Sequence, residues 1–175
     1  YQAGTSPMGQ AFAAAHAECV FVANHNRGVV AEYVRSLRAQ ALACGRAADD
    51  LRIFALLCVV PGATDAEAHA KFNDYQRYGL REGALALISG WTGVDMSKYD
   101  ANATIDEMDS DGIRSIASSL CVRSVGEWAD YLVVGGAAPT VVGSAATIAD
   151  EMQAWMDETG VDGFNLAYTV MPECM

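Results

Sequence analysis

Residues 52–60 (RIFALLCVV) restrict the fold most, because they form a nearly continuous apolar run that Pro61 and Gly62 then interrupt. A strand that is apolar on both faces is typical of a parallel sheet covered by helices, whereas a half-exposed strand alternates apolar and polar residues. A shorter apolar run, residues 19–23 (CVFVA), precedes it. The two runs therefore predict buried parallel strands.

Helical patterns alternate with these strands. Residues 7–17 carry apolar side chains and alanines at helical spacing, and residues 29–42 repeat apolar positions at three and four. Thr64 and Glu67 have the spacing of a capping box, which predicts the start of a helix that continues to about Tyr78. Three strand–helix units in succession imply a parallel sheet covered by helices.

Residues 80–142 break this rhythm. They contain two helical segments, 83–89 and 125–132, and a polar stretch, 95–112, but no apolar run of strand length. We interpret the region as an insertion within a single domain. Long insertions in compact domains are usually functional, often as lids.

The strand–helix rhythm returns at Val141. Ser144 is the predicted N-cap of a helix that Gly160 ends, and residues 162–170 are a predicted final strand. A chain that opens in a strand and stops before a covering helix predicts the C-terminal half of a (β/α)8 TIM barrel, since a whole barrel needs about 250 residues. We therefore expect residues 1–175 to be one partial α/β domain.

Composition excludes several functional classes. Eleven basic and 22 acidic residues give a net charge of −11, which disfavours nucleic acid and anionic lipid as partners. No apolar run reaches the roughly 18–20 residues that span a membrane. The five cysteines are odd in number and contain no C-x-x-C pair, which suits a reducing cytoplasm. The hydrophobic fraction of 52% predicts apolar surface that further protein covers.

The opening turn is a candidate anion site. Ser6 is a good N-cap, Pro7 suits the first helical position, and Gly4 allows close approach of a ligand. The exposed N-terminus of a helix after a strand favours an anion, commonly a phosphate. From the residues alone, an ordinary strand-to-helix turn remains the other interpretation.

The sequence contains three histidines that could take part in chemistry. His25 follows a predicted strand, where barrel enzymes place active-site residues, so it is either a proton-transfer group or substrate contact, or an exposed turn residue. His16 and His69 lie on helices and are expected to be structural or surface residues. The spacing yields no catalytic triad and no metal-binding set.

Other side chains have structural interpretations beside the functional ones. Asp162 precedes the last strand, at the edge of a barrel that contributes stability, and is expected to be structural. Asp150 and Glu151 are expected on the solvated side of their helix. Trp91 and Tyr99 either cover a planar ligand or pack.

Four segments, in this order, resemble the bacterial luciferase-like flavin monooxygenases. The resemblance is closest to the branch with nitrilotriacetate monooxygenase component A, dibenzothiophene-sulfone monooxygenase and long-chain alkane monooxygenase, and it covers nearly the whole chain. The segments are YQAGTSPMGQAFAAAHAECVFVA, LLCVVPGATDAEAHAKF, ALISGWTGVDMSKYD and VVGSAATIADEMQAWMDETGVDGFNL.

The resemblance implies a (β/α)8 barrel that binds reduced FMN supplied by a separate NAD(P)H:flavin reductase. Oxygen would add to the flavin as a C4a-(hydro)peroxide and then enter a small organic substrate. The family's QAG-x-S turn holds the FMN phosphate, which implies Ser6 as phosphate ligand, with Ala3, Gly4 and Thr5 as close backbone. We expect the intact protein to form a homo-oligomer. Some relatives place a histidine in the insertion, but residues 95–120 have none.

Two alternatives stay open at this stage. The same fold could use a deazaflavin for hydride transfer without oxygen. The chain could also be a non-enzymatic half-barrel that acts as a binding module, although polar strand faces would then be expected. The strands here are apolar.

Overall fold

The computed structural model describes residues 1–3, 6–105 and 122–171. Two short 3-10 helices, Ala48–Asp50 and Met96–Lys98, lie between the main elements. Those main elements, in chain order, are β1 (Gln2–Ala3), α1 (Pro7–His16), β2 (Cys19–Val22), α2 (Arg27–Ala43), β3 (Arg52–Gly62), α3 (Asp65–Tyr78), α4 (Arg81–Thr92), α5 (Val125–Leu132), β4 (Thr140–Ser144), α6 (Ala145–Thr159) and β5 (Gly163–Ala167).

All strand pairs in the described sheet are parallel, as the apolar runs predict. β1 pairs with β2, and β2 pairs with the first half of β3. The α/β fold class is confirmed. The predicted strand 52–60 is extended in the structure to Gly62, because β4 pairs with the second half of β3 and carries it past Pro61.

The long strand β3 organises the sheet. Phe54 and Ala55 pair with both β2 and β5, so these two strands lie on opposite edges of β3. Cys58 pairs with Thr140 of β4 and with Ala167 of β5, so β4 lies on the edge of β3 that β2 occupies lower down. The end of the insertion therefore enters the sheet directly beyond the carboxyl end of β2.

The outer face of the sheet is the main hydrophobic core. Side chains paired across parallel strands share a face. Val20 with Ile53, and Val22 with Ala55, are buried under α2 and α6. The buried residues Leu37 and Trp155, one from each helix, belong to the same cluster.

The inner face of the sheet is only partly covered. Phe21 pairs with Phe54, and Leu56 pairs with Asn165. Phe21, Phe54 and Leu56 are half-buried, and Asn165 is exposed. An apolar inner face that the chain leaves partly open is what the barrel prediction requires.

The insertion has a hydrophobic core of its own. This second cluster joins α4, the 3-10 helix Met96–Lys98 and α5, around the fully buried Trp128. α5 begins with a capping box between Ser124 and Glu127 and matches the predicted segment 125–132. The predicted stretch 95–112 falls partly outside the described residues.

Helix ends follow the predicted capping chemistry. The Ser144 hydroxyl accepts a hydrogen bond from the Thr147 N–H, and Thr64 likewise caps α3 through the Glu67 N–H. Gly160 follows α6 with φ 73°, a left-handed conformation that glycine adopts without strain. No helix in the described part of the chain is long and apolar enough to cross a membrane.

Candidate functional site

The carboxyl ends of the parallel strands meet at one edge of the sheet, and the candidate residues lie in the turns that leave this edge. β1 leads to Ser6, β2 to His25, β3 to Thr64 and β5 to Thr169. Gly4 and Thr5 lie outside the described residues. We refer to this side of the sheet as the carboxyl edge.

Ser6 has the geometry predicted for it as a helix cap. It is exposed, and its hydroxyl accepts from the Gly9 N–H at 3.1 Å, with Pro7 at the first helical position. Ala3, the last residue of β1, is also exposed. The first turn of α1 carries no acidic residue. No acidic residue of this first turn therefore opposes an external anion at the helix N-terminus.

The N-terminus of α6, by contrast, already holds an anion. The Asp65 carboxylate accepts from the Ser144 N–H and from the Thr147 hydroxyl, both at 2.7 Å. These hydrogen bonds, the backbone one first, lower the pKa of Asp65 below its usual value. Asp65 belongs to α3, so it links two helices while it neutralises the start of one.

Charged side chains also lie at the starts of α2, α3 and α5. Asp65 and Glu67 lie in the first turn of α3, and Glu127 in that of α5. Arg27, the first residue of α2, forms ion pairs with Glu151 and Glu158 of α6, and its guanidinium lies over the Trp155 ring at 5.0 Å. Among the described helices that leave the carboxyl edge, α1 is thus the start with neither a charged residue nor a resident carboxylate.

His25 is held between two groups of the insertion. Its Nε2 lies 2.8 Å from the carbonyl oxygen of Ala137, and its Nδ1 lies 2.6 Å from the Tyr131 hydroxyl. The two rings meet edge to face, with centroids 5.2 Å apart and planes at 75°. The interpretation of His25 as an exposed turn residue is therefore wrong, because the insertion folds back over the end of β2.

Hydrogen-bond chemistry settles the proton positions in this cluster. A carbonyl oxygen only accepts, so Nε2 of His25 carries the proton, and neutral Nδ1 accepts from the Tyr131 hydroxyl. Burial lowers the pKa of His25, which favours this neutral ring. Burial, together with the nearby Cys58 thiol, raises the pKa of Tyr131 to about 12. Both nitrogens are engaged, so His25 is not placed as a free general base.

A cleft of about 610 Å³ opens beside this cluster, at the carboxyl end of β5. One wall is the segment 133–136, and α3 and the residues after β5 form the others. Asp74 is the one charged residue among the described residues that line it. The lining residues are Asp74, Tyr75, Tyr78, Gly79, Val133, Val134, Gly135, Gly136, Tyr168, Thr169 and Val170.

Asp162 is structural, as predicted. Its carboxylate accepts from the Ile53 N–H at 2.8 Å and pairs with Arg38 and Arg52 at 3.0 and 3.2 Å, at the edge of the sheet opposite the candidate site. The prediction for Glu151 is corrected: it binds Arg27 rather than facing only solvent, because α2 packs against α6 there. Asp150 is exposed.

The remaining candidates lie away from this cluster. His16 is exposed and stacks near Phe12 of its own helix, and His69 is exposed on α3. Trp91 and Tyr99 are 50% and 39% exposed on the insertion. Within the described ranges, no group of three or more His, Cys, Asp or Glu residues could hold a metal ion.

Sequence reasoning missed the partners of two key residues. Nothing in the spacing joins His25 to Tyr131, since 106 positions separate them. From the sequence, Asp65 is an ordinary acidic residue in the first turn of α3. In the structure it accepts a hydrogen bond from Ser144 at the start of α6, 79 positions away. The sequence shows that both turns are polar. It does not show which side chains the insertion and α3 place against them.

A parallel sheet with helices on its outer face and polar turns at its carboxyl edge defines a barrel-type α/β protein. The chain belongs to the luciferase-like monooxygenase family, whose sequence profile matches residues 1–163. It is 40% identical to the dimethyl-sulfide monooxygenase of Hyphomicrobium sulfonivorans over 98% of its own length and 37% of that protein. It is 39% identical to the long-chain alkane monooxygenase of Geobacillus thermodenitrificans over 98% and 36%.

Solved structures give the same result. The crystal structure of DmoA from Hyphomicrobium sulfonivorans matches with a TM-score of 0.88 and 40% identity, over 97% of this chain and 37% of that one. A riboflavin lyase solved with modified FMN and riboflavin matches with a TM-score of 0.80 and 29% identity, over 98% and 39%. The chain thus spans about 37% of the length of the dimethyl-sulfide monooxygenase and of the DmoA structure.

Proposed function

We propose that this chain is the C-terminal part of a cytoplasmic, homo-oligomeric flavin-dependent monooxygenase. It would use reduced FMN from a separate NAD(P)H:flavin reductase, together with O2, to oxygenate a small organic substrate. The observation that carries the proposal is the open, serine-capped start of α1 at the carboxyl edge, in a member of this family.

The residues present fit an FMN phosphate. A phosphate dianion at the start of α1 would accept from the Ser6 hydroxyl and from the Met8 N–H, in the field of the helix dipole. No carboxylate of the first turn competes for them. We propose Ser6 as the phosphate ligand and Ala3, Gly4 and Thr5 as the backbone that lets the phosphate approach.

Bound reduced FMN would supply the electrons and the position at which O2 reacts. The residues of this chain would bind and orient it and exclude water from its surroundings. The insertion is proposed to cover the carboxyl edge in this role, since Tyr131 and Ala137 tie it to His25 at that edge.

Substitution of Ser6 in the full-length polypeptide that contains this chain tests the cofactor site. Ser6→Ala is expected to weaken FMN binding by about 1–3 kcal/mol through loss of a hydrogen bond to a charged group. Ser6→Asp keeps a good N-cap but places a negative charge at the phosphate, so it is expected to weaken binding further. Titration of flavin fluorescence with FMN and with riboflavin, which lacks the phosphate, measures both effects.

The preference for FMN over riboflavin is expected to disappear in Ser6→Asp. The matched control is Ser144→Ala, which removes an equivalent N-cap at the start of α6, where Asp65 already occupies the anion position. It should lower stability and leave the FMN preference intact. A preference for FMN that survives Ser6→Asp unchanged would remove Ser6 from the site.

The reaction itself is tested by formation of an oxygenated product, with the reductase, NAD(P)H and FMN alone as the control for O2 that free reduced FMN consumes. The full-length protein, a flavin reductase, NAD(P)H and FMN should consume O2 and give an oxygenated product when a substrate is present. Oxidation of a reduced deazaflavin without O2 uptake would instead favour the hydride-transfer alternative.

A further inference from the structure

The wall of the 610 Å³ cleft is a short segment with little rigidity of its own. Residues 133–136 follow α5, and Gly135 and Gly136 both adopt positive φ, 81° and 58°. Such a glycine pair permits many backbone conformations. The Ala138 N–H donates to the Gly135 carbonyl at 3.2 Å and constrains the turn locally, and contacts from the rest of the chain fix the position of the wall.

His25 supplies two of these contacts, one at each end of the wall. Tyr131 comes two residues before the segment and donates to Nδ1, and Ala137 comes directly after it and accepts from Nε2. A single half-buried ring at the carboxyl end of β2 thus holds both ends of a segment that is more than 100 positions away in sequence. Beyond Ala137, the Cys58 N–H binds the Pro139 carbonyl at 2.8 Å and β4 begins.

The residues that line the cleft favour a neutral, apolar ligand. Three tyrosines and three valines line it, and its one charged group among the described residues is the carboxylate of Asp74. Arg77, the cation closest in sequence, is paired with that carboxylate at 3.5 Å. Among the described lining residues, a carboxylate or phosphate ligand would find no cation, whereas a neutral apolar molecule would bury surface against the valines and tyrosine rings.

We propose that His25 is a positioning residue that holds the 133–136 wall of a substrate cleft for neutral, apolar organic molecules. This inference rests on the monooxygenase function proposed above. His25 acts through Tyr131 and Ala137 rather than on the substrate. Its fixed tautomer matters because only a ring with the proton on Nε2 satisfies both ends of the wall.

Three variants of the full-length protein test the proposal. His25→Leu removes both hydrogen bonds, Tyr131→Phe removes one hydroxyl and leaves the packing, and His69→Leu is the matched control on an exposed surface. The probes are diethyl sulfide, which is neutral, and thiodiacetate, its dicarboxylate analogue. The readouts are KM and kcat for each probe, hydrogen peroxide released per O2 consumed, FMN affinity, and amide hydrogen exchange over residues 133–138.

For His25→Leu we expect KM for diethyl sulfide to rise about tenfold, with a smaller change in kcat, more peroxide per O2 and unchanged FMN affinity. Amide exchange at 133–138 should accelerate, Tyr131→Phe should lie between the wild type and His25→Leu, and His69→Leu should match the wild type. The wild type should prefer diethyl sulfide to thiodiacetate.

Several outcomes would overturn the proposal. Unchanged exchange at 133–138 in both variants would show that His25 does not hold the wall. Faster exchange with unchanged KM, or a preference for thiodiacetate, would show that the cleft is not the substrate site. Absence of any oxygenated product with the wild type would overturn the monooxygenase function itself, while the exchange measurement would still report on the wall.

Discussion

At the scale of the residue, His25 and Tyr131 form a pair whose protonation favours the native state only within a pH window. The neutral His25 ring accepts the Tyr131 proton, and the neutral Tyr131 hydroxyl donates it. Burial lowers the pKa of the first and raises that of the second, so both shifts favour the uncharged pair. Each shift then predicts loss of stability at one end of the pH scale.

The acid side depends on His25. Its folded pKa lies below the ordinary value of 6.5, so the unfolded state binds more protons there, and the free energy of unfolding is expected to fall as the pH drops below about 6.5. The alkaline side depends on Tyr131, whose pKa rises from 10.0 to about 12, so stability is lost as the pH rises from 10 towards 12. Urea unfolding at several pH values measures both.

His25→Gln should flatten the acid side, and Tyr131→Phe should flatten the alkaline side. The pKa of Tyr33 is also raised by burial, so part of the alkaline loss should persist in Tyr131→Phe. Parallel pH profiles for the wild type and both variants would contradict the assignment.

At the scale of the element, the segment between α5 and β4 shows how glycines fit an insertion to a sheet. A Cβ at Gly135 would lie 2.7 Å from the Thr140 hydroxyl oxygen and 3.2 Å from the Cys58 sulfur, whereas a Cβ at Gly136 would meet nothing within 4 Å. Both residues have positive φ. The two positions therefore share a backbone constraint and differ in their contacts.

This difference gives a matched pair of substitutions. Gly136→Ala is expected to lower the free energy of unfolding by about 1–2 kcal/mol, the cost of a left-handed alanine. Gly135→Ala should cost clearly more, because its methyl group also displaces Thr140 at the start of β4. Thermal or urea unfolding of both variants measures the difference. Equal losses would mean that the approach of Gly135 to β3 and β4 adds no constraint.

The pairing of β3 with its neighbours explains why this strand is longer than the others. Its residues up to Cys58 pair with β2 or β5, and among the described strands its last four residues, 59–62, pair with β4 alone, which follows the insertion. Gly143 of β4 also allows close packing, because a Cβ at this position would lie 2.8 Å from the Thr147 side chain. The carboxyl edge is thus built from strands and from the last residues of the insertion together.

At the scale of the whole molecule, two hydrophobic cores differ in completeness. The outer face of the sheet is buried by α2 and α6, and the insertion packs around Trp128. The inner face is half-open at Phe21, Phe54 and Leu56. Large apolar side chains are also exposed on α1 and β5, with Met8 at 84% and Leu166 at 52%.

Apolar surface of this extent favours association. Expressed by itself, the 175-residue chain is expected to self-associate or aggregate, which light scattering after size exclusion would detect. Fusion to the remaining barrel strands should give a discrete, soluble species. A monodisperse monomer of the 175 residues would instead favour a self-contained binding module over part of an enzyme.

The sequence by itself determined the local elements and the class of fold. A short apolar run such as 52–60, closed by Pro and Gly, favours a buried strand, and cap residues such as Ser6, Ser144 and Gly160 act within one turn of their own helix. Both features can therefore be identified from neighbouring residues. The similarity of the four segments to the luciferase-like family is also a property of the linear chain.

Only the tertiary structure decided which turns remain open to ligands. Asp65 fills the start of α6, and the insertion half-buries His25, because hydrogen bonds across 79 to 112 positions depend on how α3, α5 and β4 pack at the carboxyl edge. Linear spacing carries no record of such contacts. Packing closes some polar turns with the chain's own side chains, whereas no side chain of the described residues places a carboxylate at the start of α1.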